Sequence, residues 1–159
     1  MKMTKTKTLV FAGMIAAVYT ALSFIPGVSV LSFGPVQLRI AESLNALALL
    51  SPWAIPGLAI GCFVTNLASP MMAVDLPFGT LATLIGAAGA YFLRRKPGLA
   101  MLVPVISNGI IVGALINLFL ESGFGLFTNI GLVAVGEAAA CYIFGLPLYK
   151  SLKRFFTEI

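Results

Sequence analysis

Polar positions are so sparse in this chain that the apolar runs between them define the elements. The runs predict six helices, at about Thr8–Ile25, Val36–Leu50, Ala54–Leu67, Phe78–Leu93, Leu99–Leu120 and Asn129–Tyr149. Proline and glycine supply the punctuation. Pro26-Gly27 ends the first helix, Gly34-Pro35 opens the second, and Ser51-Pro52-Trp53 with Pro56-Gly57 turns the chain into the third, which Ser69-Pro70 breaks. Met71–Pro77 reads as a loop holding Asp75, and Gly27–Gly34 as another loop at the same end of the bundle.

One stretch departs from the pattern. FGPVQLRIAESLN, residues 33–45, carries Gln37, Arg39, Glu42 and Asn45 among greasy neighbours. If the chain is helical from Val36, the i, i+3, i+6 spacing aligns Arg39, Glu42 and Asn45 on one stripe. Leu38, Ile40, Ala41, Leu44, Ala46 and Leu47 cover the other faces. Charge facing hydrocarbon is costly, so the stripe is expected to face a protein interior or a wet cavity.

Composition then fixes the class. Of 159 residues, 60% are hydrophobic and 9% charged, and the mean hydropathy is +1.05. A soluble domain carries about a quarter charged residues. The chain therefore reads as an all-α integral membrane protein. With about 20 residues needed per span, six helices use nearly its whole length as a single transmembrane domain, 1–159. The net charge of +5 does not imply nucleic acid, because the basic residues cap apolar runs: Lys2/Lys5/Lys7, Arg94/Arg95/Lys96 and Lys150/Lys153/Arg154. Six spans place all three clusters on one side, which predicts cytoplasmic N and C termini. Gln37, Arg39, Glu42, Asn66, Asp75 and Glu121 then fall toward the outer side. The first apolar run follows a lysine-rich start, as a signal peptide does, but lacks a clear small-residue cleavage site and is read as a retained helix.

Nothing in the sequence resembles a catalytic set: there is no histidine, no nucleophile elbow, no phosphate-cradling glycine loop and no metal-ligand cluster. Cys62 and Cys141 lie inside apolar runs without metal-ligand spacing and read as buried thiols. No cofactor is expected. What remains is a set of polar groups: Arg39 and Glu42 as an intrahelical ion pair or a ligand-binding pair, Glu137 protonated, paired with Arg39 or receiving donors from a ligand, and Asp75 as an N-cap or a ligand group. Asn66 and Asn108 serve either as helix–helix glue or as ligand contacts. Thirteen residues separate Asn108 from Glu121, about 220° on a straight helix, so they share a face only if Gly109 or Gly113 permits a bend. Phe33, Phe78, Phe124, Phe127 and Tyr142 are candidate pocket walls. Such a pocket suits a flat, polar, hydrogen-bonding molecule. On the first helix small residues form two adjacent rows, Ala12/Ala16/Thr20 and Gly13/Ala17/Ala21. Each row suits close helix packing, within the chain or against a partner subunit.

FGPVQLRIAESLNALALLSPWAIPGLAIGC, DLPFGTLATLIGA and VGEAAACYIFGLPL closely resemble the QueT family, the substrate-binding S-components of energy-coupling-factor (ECF) transporters assigned to queuosine precursors. The resemblance implies a six-helix S-component that captures ligand from outside. It also implies a membrane T-component and two cytoplasmic ATPases as partners, with ATP hydrolysis residing in those ATPases and no enzymatic activity in this chain. The Ala-rich docking motif of S-components is matched by Ala12 and Ala16, with Gly13 and Ala17 as the competing register. A 7-deazaguanine ligand (preQ0, preQ1 or queuine) implies a carboxylate, Glu42 or Glu137, on the N1–H/2-amino edge. Asn108, Gln37 or Arg39 would lie near O6, and Asp75 is a candidate for an aminomethyl cation. A different vitamin or purine, or a ligand-free assembly role, are the competing readings.

Overall fold

The structure, a computed structural model, describes residues 4–25, 37–120 and 123–157. Phe33, Glu121 and the 27–34 loop, on which the sequence places expectations, lie outside the described residues. The described residues are helical throughout apart from short turns. α1 is Lys5–Ser23 and α2 is Ile40–Leu47, a 3-10 helix; α3 is Ala54–Asn66. α4, Met72–Phe92, opens with one α turn and a π segment at Asp75–Gly79. α5 is Pro97–Phe119. α6 is three consecutive pieces, Leu126–Ala138, a π segment at Ala139–Gly145, and Leu146–Thr157. Four of these (α1, α4, α5 and α6) are long and apolar enough to cross a membrane.

Two expectations are corrected. The helix expected over Val36–Leu50 is not an α-helix but eight residues of 3-10 helix. Its hydrogen bonds run three residues back, as in Glu42 N–H to Arg39 O at 2.9 Å. Three residues per turn is the period at which Arg39, Glu42 and Asn45 eclipse one another; on an α-helix the same spacing drifts around the axis. Ala41 through Ala46 are buried on every side, as a weakly bonded backbone must be inside a membrane protein. Gln37, just before it, takes a left-handed φ of 44°, uncommon for a non-glycine residue. The second correction is the loop expected at Met71–Pro77, which is helical from Met72. Pro77 lacks the N–H that an α ladder needs, and the chain widens to π across it.

α2 is the hub of the packing. Ala41, Leu44 and Ala48 share a core cluster with Tyr19, Leu58 and Cys62, while Ala46 and Leu49 share another with Ala100, Met101, Cys141 and Tyr149. A third cluster joins Ala82 of α4, Val112 and Ile116 of α5 and Val133 of α6. The contacts also order the two ends of the bundle. Lys5 and Thr8 line one crevice with Trp53 and Pro56; Leu49, Ala100 and Tyr149 pack together; and Tyr142 Oη–H donates to Gly98 O at 2.7 Å. The start of α1, the α2–α3 turn, the α4–α5 connection and the end of α6 therefore gather at one end with the basic clusters. Arg39, Asn66 and Asp75 lie toward the other.

Lipid tails compete for apolar surface, so close backbone approach rather than hydrophobicity fixes helix pairs. α1 lies on Gly57 and Gly61 of α3. A Cβ on Gly57 would come 2.6 Å from Ala12 O, and one on Gly61 would come 2.7 Å from Tyr19 Cβ. The Ala12/Ala16 row is thus buried against α3, whereas Gly13 and Ala17 are exposed and a Cβ on Gly13 would meet no heavy atom within 4 Å. Gly61→Leu is expected to lower stability by about 1–3 kcal/mol through overpacking, read as an earlier thermal unfolding midpoint in detergent. Gly13→Leu should leave the midpoint within the scatter of ordinary surface changes, about 0.5 kcal/mol. An equal loss from both would show that the α1–α3 seam does not discriminate the two rows.

Candidate functional site

Glu42 sits at the centre of the bundle with no exposure. One carboxylate oxygen, Oε1, accepts from Tyr19 Oη–H of α1 and from Thr83 Oγ1–H of α4, the latter at 2.8 Å. The other, Oε2, accepts from Asn45 Nδ2–H at 2.6 Å, and the same amide donates to Glu42 O at 3.0 Å. A buried charge is tolerated only when paired or hydrogen-bonded, and three donors from three helices meet that condition here.

A second carboxylate lies close by. Glu137 of α6, 1% exposed, accepts at Oε1 from Asn108 Nδ2–H of α5 at 3.0 Å. The Cys141 thiol lies 3.8 Å from that oxygen and 3.9 Å from Glu42 O, so it stands between the two acidic residues. The π segment that carries Cys141 packs tightly on α2: a Cβ on Gly145 would sit 3.1 Å from Ser43 O.

The third group is at the end of α3. Asn66 Nδ2–H donates to Asp75 O at 2.8 Å and lies 3.4 Å from Cys62 Sγ, which in turn lies 3.3 Å from Thr83 Oγ1. Ser69 Oγ–H donates to Asp75 Oδ2, so this carboxylate is engaged by a neighbouring hydroxyl, and no side-chain cap bond forms at the start of the π segment. Gly79 leaves room for this junction: a Cβ there would lie 2.8 Å from Asn66 Nδ2 and 3.9 Å from Arg39 Nη1. Arg39 and Gln37 are both buried at this end.

Six of the expected residues, Asn45, Glu42, Asn66, Asp75, Asn108 and Glu137, therefore join into one polar chain. It runs from Asp75 through Asn66, Cys62 and Thr83 to Glu42 and Asn45, then through Cys141 to Glu137 and Asn108. Tyr19, Thr83, Cys62 and Cys141 were not among the expected site residues. Hydroxyls and thiols pass as filler in an apolar run, and only their partners across the bundle give them a role. The expected aromatic walls are not here: Phe78, Phe124 and Phe127 are exposed on the outer surface, and Tyr142 faces Gly98. Asn117 accepts from Asn129 Nδ2–H at 3.4 Å, apart from this chain of contacts.

The arrangement leaves acceptors unused. Asn45 Oδ1, Asn66 Oδ1 and Asn108 Oδ1 are buried and receive no hydrogen bond. An unsatisfied buried acceptor costs about 1–3 kcal/mol. Three such oxygens lie along one network, each able to take a further donor. Among the described residues no group of three or more His, Cys, Asp or Glu side chains is placed to hold a metal ion.

Comparison with known proteins agrees with a binding rather than a catalytic reading. Residues 9–154 match the family model described as QueT transporter. A curated protein of Lactococcus lactis subsp. cremoris (strain MG1363), named Queuosine precursor transporter QueT, is 39% identical over 85 residues. That alignment covers 54% of this chain and 50% of the relative, so the chain spans about half the length of the curated relative it matches. No solved structure matches it significantly. With apolar helices long enough to cross a membrane, buried polar groups strung between them, and a family match along nearly the entire sequence, this multi-pass membrane protein belongs to the QueT transporter family.

Proposed function

We propose that the chain is the substrate-binding subunit of an ECF-type transporter and that it takes up a queuosine precursor of the 7-deazaguanine type (preQ0, preQ1 or queuine). The single observation that carries this reading is the set of buried acceptors: Asn45, Asn66 and Asn108 each hold an unbonded carboxamide oxygen, and Asn108 stands beside the Glu137 carboxylate. A 7-deazaguanine is rich in donors, with N1–H, the 2-amino group and the ring N–H, and preQ1 adds an ammonium. The riboflavin dione edge, by contrast, sets its one imide N–H between two carbonyl acceptors and offers no pair of adjacent donors to a carboxylate. Glu137, held by Asn108, takes the N1–H/2-amino edge in this reading. Asn66 and Asp75 lie at the end where an aminomethyl arm would reach, and Gln37 and Arg39 close that end. Glu42 has a structural part, since Tyr19, Thr83 and Asn45 already occupy its oxygens.

The bundle is read as six-spanning, with both termini cytoplasmic by the positive-inside rule and the Arg39–Asp75 end outward. The membrane T-component would dock on α1 along the exposed Gly13/Ala17 row, because Ala12 and Ala16 are engaged with α3. Two cytoplasmic ATPases would supply the energy. Thermal unfolding of the purified full chain tests the substrate. PreQ0, preQ1 or queuine should raise the midpoint in a concentration-dependent way, by mass action, while riboflavin and thiamine should not. A shift with a vitamin and none with any deazaguanine would assign the pocket to another ligand. Mass spectrometry of small molecules co-purifying with the solubilised protein gives an independent identification.

A further inference from the structure

Outside the polar network, a crevice of about 350 Å³ opens between the start of α1 and the start of α3. Leu9, Pro56 and Ile60 form apolar walls, and Lys5, Thr8 and Trp53 stand toward the basic end of the bundle. Leu9 is 75% exposed, Ile60 53% and Trp53 47%, so the walls are open to whatever surrounds the protein. The crevice has two chemically distinct parts. Its depth is hydrocarbon-like, and its mouth presents an ammonium, a hydroxyl and an indole, the side-chain types that settle at a membrane–water interface.

We infer that this crevice binds one anionic phospholipid, with an acyl chain along Leu9, Pro56 and Ile60 and the phosphate against Lys5. Charge decides the class of lipid. A zwitterionic headgroup brings no net attraction to Lys5, whereas an anionic one does, at about 1 kcal/mol per basic residue near the surface. The basic clusters of α1, of the α4–α5 connection and of α6 lie at the same end and bias the surrounding leaflet the same way. Thr8 and Trp53 supply hydrogen-bond donors beside the cation, so the phosphate meets more than one group.

Trp53 is the single tryptophan of the chain, which makes occupancy directly measurable. Its fluorescence is followed while the full chain in detergent takes up phosphatidylglycerol or phosphatidylcholine carrying brominated acyl chains, which quench on contact. Phosphatidylglycerol should quench at severalfold lower mole fraction than phosphatidylcholine. Lys5→Gln should reduce that preference by about fivefold. Lys7→Gln removes the same charge from a different groove, lined by Thr6, Val10 and Met14, and should leave at least half of the preference. Three results would overturn the inference: equal quenching by the two lipids, a Lys7→Gln loss as large as that of Lys5→Gln (diffuse surface attraction), or no quenching by either lipid (a crevice covered by protein).

Discussion

Glu137→Gln is expected to weaken binding of a 7-deazaguanine precursor by about 30- to 900-fold, the equivalent of about 2–4 kcal/mol for one charge-assisted hydrogen-bond partner. The substitution is isosteric, and the Gln oxygen still accepts from Asn108 Nδ2–H, which lies 3.0 Å from Glu137 Oε1 in the native protein. The fold should therefore survive, and the unliganded unfolding midpoint should move little. What is lost is the negative charge and the ability to accept two ligand N–H groups side by side. Titration calorimetry on the purified variant reads the change. Asn108→Ala should weaken binding less, because it removes a neutral acceptor and the group that orients Glu137 but not the charge. A Glu137→Gln protein that binds within about threefold of the native one would place the substrate elsewhere.

Glu42 should respond in the opposite way, through stability. Glu42→Ala deletes the acceptor for Tyr19, Thr83 and Asn45 at once, and leaving such donors buried without a partner costs about 3–5 kcal/mol. The loss should appear as a sharply lower midpoint of thermal unfolding, or as failure to accumulate in the membrane. Because failure to accumulate would carry no detail, a milder series is decisive. Glu42→Gln turns an N–H₂ toward at least one of the donors and should cost about 2 kcal/mol. Adding Tyr19→Phe to Glu42→Gln removes one of those donors and should cost less than the two single changes summed, since residues in one hydrogen-bond network are not additive. Strict additivity would mean that Tyr19 and Glu42 do not act as a unit.

The two acidic residues illustrate how far sequence reading reaches. Both Glu42 and Glu137 are conspicuous in apolar runs, and charge in such a place demands a partner. The identity of the partner is not local information. Tyr19 is 23 residues from Glu42 and Thr83 is 41, while Cys141 meets Glu42 across 99. Nothing in the periodicity around Glu42 points to any of them, because spacing along one helix shows only neighbours a turn away. The aromatic walls failed for a related reason: a phenylalanine in a lipid-facing position and one in a pocket have the same apolar neighbours in sequence.

By itself the sequence determined where the helices start and stop to within a few residues for α1, α3 and α5, and where α4 ends, because hydrocarbon length and proline chemistry act locally. It determined too that the basic clusters share one end, that the polar groups are few and buried, and which family the chain resembles. Only the tertiary structure decided that residues 40–47 wind at three residues per turn, since a 3-10 backbone is stable here through burial between α1, α3, α4 and α6 rather than through propensity. Packing against Gly57 and Gly61 likewise decided which small-residue row of α1 is spent inside the bundle and which is left outside. The physical reason is common to both cases. Hydropathy and capping are properties of neighbours along the chain, whereas burial and hydrogen-bond partnership are properties of neighbours in space, and in a helical bundle those come from other helices.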